Sequence, residues 1–75
     1  MIAYEIRILD KKEILNFDHL KIAKKEFNKI TSNLEFNSPV DLIKKDIDFN
    51  SDNTYTTNYE IVLEQFRGRK IWERI

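Results

Sequence analysis

The chain has 75 residues, with 13 Lys and Arg against 13 Asp and Glu, a single His and no Cys. That length makes one domain, residues 1–75, whose small core removes only about 60% of the unfolded surface from water. Balanced charge excludes a chain-wide basic field for nucleic acid or an anionic membrane, and the lack of Cys excludes a disulfide framework or a thiolate metal site.

No apolar run reaches the ~18 residues that a membrane helix needs, and the first residues alternate as a strand instead of forming a signal-peptide core. A soluble protein of the cytoplasm is the expectation. In MIAYEIRIL, Ile2, Tyr4, Ile6 and Ile8 fall on one face and Ala3, Glu5, Arg7 and Leu9 on the other, the period of a half-buried strand. The following DKKEILNF contains Ile14, Leu15 and Phe17, which suit a short returning strand or a covering loop; the loop is expected.

From Asp18 the period changes. Leu20, Ala23, Phe27, Ile30 and Leu34 recur at three- and four-residue steps, which predicts a helix over about residues 19–33 with its lysines mostly outside the apolar stripe. Asp18 is the expected cap, and Phe17 is expected to staple onto Ile22. Ser38, Pro39 and Asp41 then read as a second helix start, predicting a short helix through about Ile47 with Val40, Ile43 and Ile47 inward. The polar NSDNTYTTN ends in a strand-like run from Tyr55.

The C-terminal YEIVLEQFRGRKIWERI reads as a hairpin. A three-residue loop of Phe66, Arg67 and Gly68 puts glycine where a left-handed conformation is needed. Tyr59 then opposes Ile75, Ile61 opposes Glu73 and Leu63 opposes Ile71 on one face. On the other face Glu60 opposes Arg74, Val62 opposes Trp72 and Glu64 opposes Lys70. A two-residue turn would oppose Leu63 to Trp72 and scatter the charges, so turn chemistry favours the first register.

These elements predict an α+β fold: a small antiparallel sheet, formed by the N-terminal strand plus the C-terminal hairpin, packed on one long and one short helix. Tyr59, Leu63, Ile71 and Ile75 are expected to join Ile6, Ile8, Leu20 and Phe27 in the core. Trp72 and Val62 then face outward, with Phe66 at the loop tip and Arg67, Arg69, Lys70 and Arg74 around them. Large aromatics in a charged rim are what interface anchors look like, so these seven residues are the candidate partner-binding set. The competing reading buries Trp72 under the short helix or residues 48–58, and the sequence leaves both open.

Catalysis has little to stand on. His19 falls in the first turn of the long helix as a surface residue, and the Ser and Thr residues form no nucleophile elbow or triad order. The expectation is a protein that is not an enzyme and carries no cofactor. DIDFNSDNTYTT places Asp46, Asp48 and Asn50 at the first, third and fifth places of a calcium loop, but Ser51 stands where that loop needs Gly and Thr57 where it needs Glu. It is expected to be an ordinary Asx-rich turn that binds no metal.

Charge is a mosaic. Residues 19–34 sum to +3 and residues 61–75 to +2, while residues 35–60 sum to −4 and residues 1–18 to −1. The basic RGRK beside Tyr and Trp suits phosphates and a stacked base, or an acidic protein surface. The lysines of the long helix also serve helix propensity and solubility.

The order strand, helix, polar segment and C-terminal hairpin ending in KIW, in a Cys-free chain rich in Ile, Lys and Asn, resembles the small phage-encoded host-takeover and anti-defence proteins, including some anti-CRISPR inhibitors. The likeness spans the chain as a pattern and carries no diagnostic motif, so it transfers no functional residue. It implies a stoichiometric inhibitor, working in the host cytoplasm, that blocks a site on a larger host protein or protein–nucleic acid complex. The balanced charge departs from the strongly acidic DNA mimics among such proteins.

The favoured expectation is therefore a non-enzymatic protein-binding inhibitor, with Trp72 and Phe66 as anchors and the cations steering encounter. The alternative is a small nucleic-acid-binding module using the basic hairpin tip and the Lys-rich helix. A monomer is expected, or a small homo-oligomer if an exposed edge pairs with its own copy. On the favoured reading, Trp72→Ala leaves a cooperatively folded domain and costs ~2 kcal/mol or more of partner binding. An unfolded variant in thermal denaturation would instead make Trp72 a core residue.

Overall fold

The computed structural model describes residues 1–68 and consists of strand β1 (Ile2–Ile8), strand β2 (Glu13–Phe17), helix α1 (Leu20–Ser32), strand β3 (Val40–Phe49) and strand β4 (Tyr55–Phe66). The four strands make one antiparallel sheet in the order β2-β1-β3-β4. The fold is α+β, with a single helix among the described residues.

β1 behaves as its alternation predicts. Ile6 pairs with Leu42 and Ile8 with Val40, and these four side chains meet Ala23 and Phe27 of α1 in the buried cluster. Tyr4, Phe17, Ile30, Phe36 and Phe66 pack around it. β2 and β3 both run antiparallel to β1, so they are parallel to each other, and the chain must cross β1 between them. That crossing is α1, which is why one face of the sheet is covered.

The sequence expectation errs at two elements. Residues 13–17 form a strand instead of a loop, because Phe17, Leu15 and Glu13 pair with Tyr4, Ile6 and Ile8 along the free edge of β1. The expected short helix over residues 38–47 is β3, the inner strand between β1 and β4. Val40, Ile43 and Ile47 fit a helical stripe, but they also lie on two faces of a strand. Val40 and Leu42 turn toward α1, and Ile43, Lys45 and Ile47 are buried on the opposite side. Burial on both faces suits β-branched residues, and pairing with two neighbours overrides the capping signal. Pro39 just precedes the strand, where its missing N–H costs no ladder bond, and its carbonyl accepts the Leu9 amide at 3.0 Å.

α1 lies where the periodicity put it, with two differences at its start. His19, not Asp18, occupies the N-cap, and its side chain makes no capping bond. Phe17 packs into the core instead of onto Ile22, which is exposed. The core is also composed differently from expectation. Leu20, Leu34, Tyr59 and Leu63 are exposed, and the volume assigned to them is filled by Val40 and Leu42.

β4 begins at Tyr55, and its partner among the described residues is β3. The register shifts twice, between Leu42 and Ile43 and between Asp46 and Ile47, so Leu63 and Asn58 are extra residues in β4. Each bulge reverses the facing of the residues beyond it. Glu64 and Phe66 consequently oppose Leu42 and Val40 on the helix side, while Val62 opposes Ile43 on the other. The hairpin register proposed for residues 69–75, and with it Ile71 and Ile75, lies outside the described residues.

Leu42 is fully buried at the centre of the cluster, whereas Ile22 is more than half exposed on α1. Leu42→Ala should cost about 3 kcal/mol by urea denaturation, and Ile22→Ala should stay within about 0.5 kcal/mol. Equal effects would contradict this placement of the core.

Candidate protein-binding surface

The side of the sheet away from α1 has no helix over it among the described residues, yet Glu5, Ile43, Lys45 and Ile47 are buried there. At the level of Glu5, Ile43 and Lys45 this side carries a lattice of charge. Lys45 Nζ donates to Glu5 Oε1 from the neighbouring strand, and Arg7 Nε donates to Glu5 Oε2 at 2.7 Å. The same guanidinium reaches Glu60 with both terminal nitrogens, at 2.7 and 3.3 Å. Arg7 stands opposite Asp41 and Glu60 opposite Lys45, so the pair meets across β3 at the level of Ile43. Ile43 is left only 2% exposed.

These contacts set the protonation of Glu5. Burial alone would push its carboxyl up, but hydrogen bonds from Lys45 and Arg7, with the charge of both, hold it below the ordinary value. Arg7 is held charged chiefly by its hydrogen bond to Glu60.

The rim of this face and the length of β4 are apolar. Tyr55, Tyr59, Ile61, Val62 and Leu63 are each more than a third exposed, as is Phe49 of β3. β1 pairs with β3 only as far as Asp46, so beyond it β3 and β4 continue as a two-stranded ribbon. At the ribbon's end Phe49 and Tyr55 meet edge to face, with centroids 6.1 Å apart. Asn50 closes the turn by hydrogen bonds to Thr54 and Thr56, Asp52 caps Thr54, and Asn53 takes φ 66°. The segment that imitates a calcium loop is thus hairpin: Asp46 and Asp48 lie on β3, both bonded by the Asn58 amide. No group of three or more His, Cys, Asp or Glu among the described residues is arranged to hold a metal.

The predicted partner-binding residues separate. Val62 is 46% exposed beside the charge lattice. Phe66 is not at a loop tip: it ends β4, half-buried, with its ring 6.2 Å from that of Phe36. Arg67 is exposed but forms an ion pair with Asp41 at 2.7 Å. Arg69, Lys70, Trp72 and Arg74 lie outside the described residues. His19 is on the surface, as read from sequence. Sequence reasoning missed Tyr59, Ile61 and Leu63 as surface residues, because regular alternation put all three on one hairpin face and assigned Tyr59 and Leu63 to the core.

The described residues therefore define a small α+β domain that presents a strand-rich apolar surface. Compared with protein-family models, with curated proteins and with solved structures, the chain matches none of them. No helix among the described residues is long and apolar enough to cross a membrane.

Glu5 gives this surface a pH dependence with a definite sign. Its folded-state pKa is lowered, so its contribution to stability is present above the unfolded value and is lost as pH falls through the folded one. Urea midpoints followed from neutral pH into the acid limb should fall less steeply for Glu5→Gln than for the parent, from a lower neutral starting point. Parallel curves would show that Glu5 does not carry the acid sensitivity.

Proposed function

We propose that the protein is a non-enzymatic, protein-binding inhibitor of the phage anti-defence kind, which occupies a site on a host protein or protein–nucleic acid complex in the cytoplasm. The observation that carries the reading is the exposed apolar run Tyr59, Ile61, Val62 and Leu63 on β4, with Tyr55 and Phe49 at the ribbon end. Tyr59 and Ile61 face the helix side of the sheet and Val62 the other, so the exposed apolar side chains line both sides of one edge strand. Exposed apolar surface of this kind on a small domain marks an interaction site, and aromatics within it are its strongest anchors. A flat strand and a ribbon suit occlusion of another protein's surface better than they suit enclosing a substrate.

The alternative, direct binding of nucleic acid, is supported by Lys21, Lys24, Lys25 and Lys29, all exposed on α1. Against it, the one described cation of the basic tip, Arg67, is already paired with Asp41. Salt separates the two: affinity from phosphate contacts falls steeply and log-linearly with ionic strength, and affinity from an apolar contact falls less.

The test expresses the chain in bacteria that carry a defence system and scores whether phage plating recovers. Ile61→Asp combined with Val62→Asp changes two exposed positions and should abolish recovery while circular dichroism shows a folded domain. Full activity in that folded double variant would remove β4 as the functional surface. Loss of activity with the lysine-to-alanine quadruple variant of α1 instead, together with salt-dependent binding of generic DNA or RNA, would promote the alternative.

A further inference from the structure

The inhibitor reading leaves open how a partner would engage β4, and the strand's chemistry narrows it. β4 is the last strand of the described sheet, hydrogen-bonded to β3 on one side only among the described residues. Such an edge offers a row of backbone donors and acceptors to another strand unless lysines, prolines, bulges or a covering element blunt it. β4 contains no Lys, Arg or Pro across Tyr55–Phe66. Its two bulges fall at Leu63 and Asn58, and between them Tyr59, Glu60, Ile61 and Val62 keep a regular register with β3.

Charge selects the partner. The only ionisable carboxylates on β4 are Glu60 and Glu64. Glu60 is taken by Arg7, but Glu64 enters none of the ion pairs formed among the described residues. The side chain of Glu64 is partly buried, and its Oε2 is shut away from solvent with no hydrogen-bond partner among the described residues. It borders a recess of about 380 Å³ lined by Val62, Leu63, Glu64 and Gln65. A partly desolvated carboxylate without a cation is unfavourable, and an arriving Lys or Arg relieves it. A second copy of this strand cannot do so, since β4 brings only acids.

The geometry points to β4 as a docking edge for an extended segment of a partner protein that alternates basic and apolar residues, adding itself as a further strand with a cation on Glu64. The added strand takes its affinity from backbone hydrogen bonds, its register from Glu64 and its apolar contacts from Ile61, Val62 and Leu63. This inference rests on the inhibitor reading for its biological partner but not for its chemistry, so the two fail separately.

The test uses the full chain and two synthetic peptides of equal length, one alternating lysine with valine and the other glutamate with valine. Nuclear magnetic resonance titration should show the lysine peptide binding about tenfold more tightly than the glutamate peptide, with shifts centred on β4 amides. Glu64→Gln should remove most of that preference, and Glu64→Lys should reverse it. A lysine peptide N-methylated along its backbone, which keeps its charges but cannot extend a sheet, should lose binding. Equal affinity for both peptides, retention by the N-methylated peptide, or shifts on α1 in place of β4 would overturn the inference. So would self-association through β4, or closure of the edge by the chain's own C-terminal residues, if either keeps the lysine peptide from binding. Failure of the peptides with intact anti-defence activity would leave the inhibitor reading standing, and peptide binding without such activity would do the reverse.

Discussion

The ion pair that Arg7 makes with Glu60 across β3 is the contact on which the two-sided burial of this sheet depends. Among the described residues one helix covers one face of the four-stranded sheet by apolar packing, and the other face carries charged side chains of the sheet itself. Glu5, Arg7, Lys45 and Glu60 alternate in sign, so each charge has a neighbour to satisfy it, and the Arg7–Glu60 pair spans β3 at the level of the buried Ile43. Such a lattice is a modest source of net stability, because desolvating charges offsets much of the attraction between them. Its stronger effect is on specificity, since breaking one member strands another in a buried setting. It also fixes register: a one-residue slip of β1 against β3 would carry Glu5 and Arg7 to the helix side.

That arrangement explains why β1 and α1 were legible in the sequence and β3 was not. Tyr4, Ile6 and Ile8 face one apolar layer, and Ala23, Phe27 and Ile30 face it from the other side, so each element shows a single clean period. β3 is buried on both faces, and one of those faces mixes Ile43 and Ile47 with Asp41 and Lys45, which erases the alternation that marks a strand. What remained was an accidental helical spacing of Val40, Ile43 and Ile47 after a Ser-Pro start. β2 was ambiguous for a different reason. It lies at an edge, is short, and exposes Ile14 and Leu15, so its pattern records little burial.

The candidate surface was harder to read because its key features are irregularities. Nothing in YEIVLEQF announces a bulge at Leu63, yet that extra residue is what places Val62 on one side of the sheet and Glu64 on the other. The same bulge brings Phe66 over the core beside Phe36, whereas strict alternation into a loop would put it at a tip. Of the C-terminal residues chosen from sequence, only Val62, Phe66 and Arg67 fall among the described ones, and the exposed apolar residues there are those of β4 itself. Composition says little about the charge lattice: equal numbers of acids and bases leave open whether they pair in the interior or solvate the outside.

The strand order carries a kinetic consequence. β3 and β4 are joined by a five-residue turn whose side chains hold it closed, so their ribbon is assembled from local contacts. β1 must instead find β3 across the whole of β2 and α1, and every pair it makes there closes a long loop. The ribbon can therefore precede the rest of the sheet, and the late step is the arrival of β1, which brings Glu5 and Arg7 to Lys45 and Glu60 at once. Until then the apolar side of β3 and the unclaimed carboxylate of Glu60 are open to whatever the nascent chain meets first.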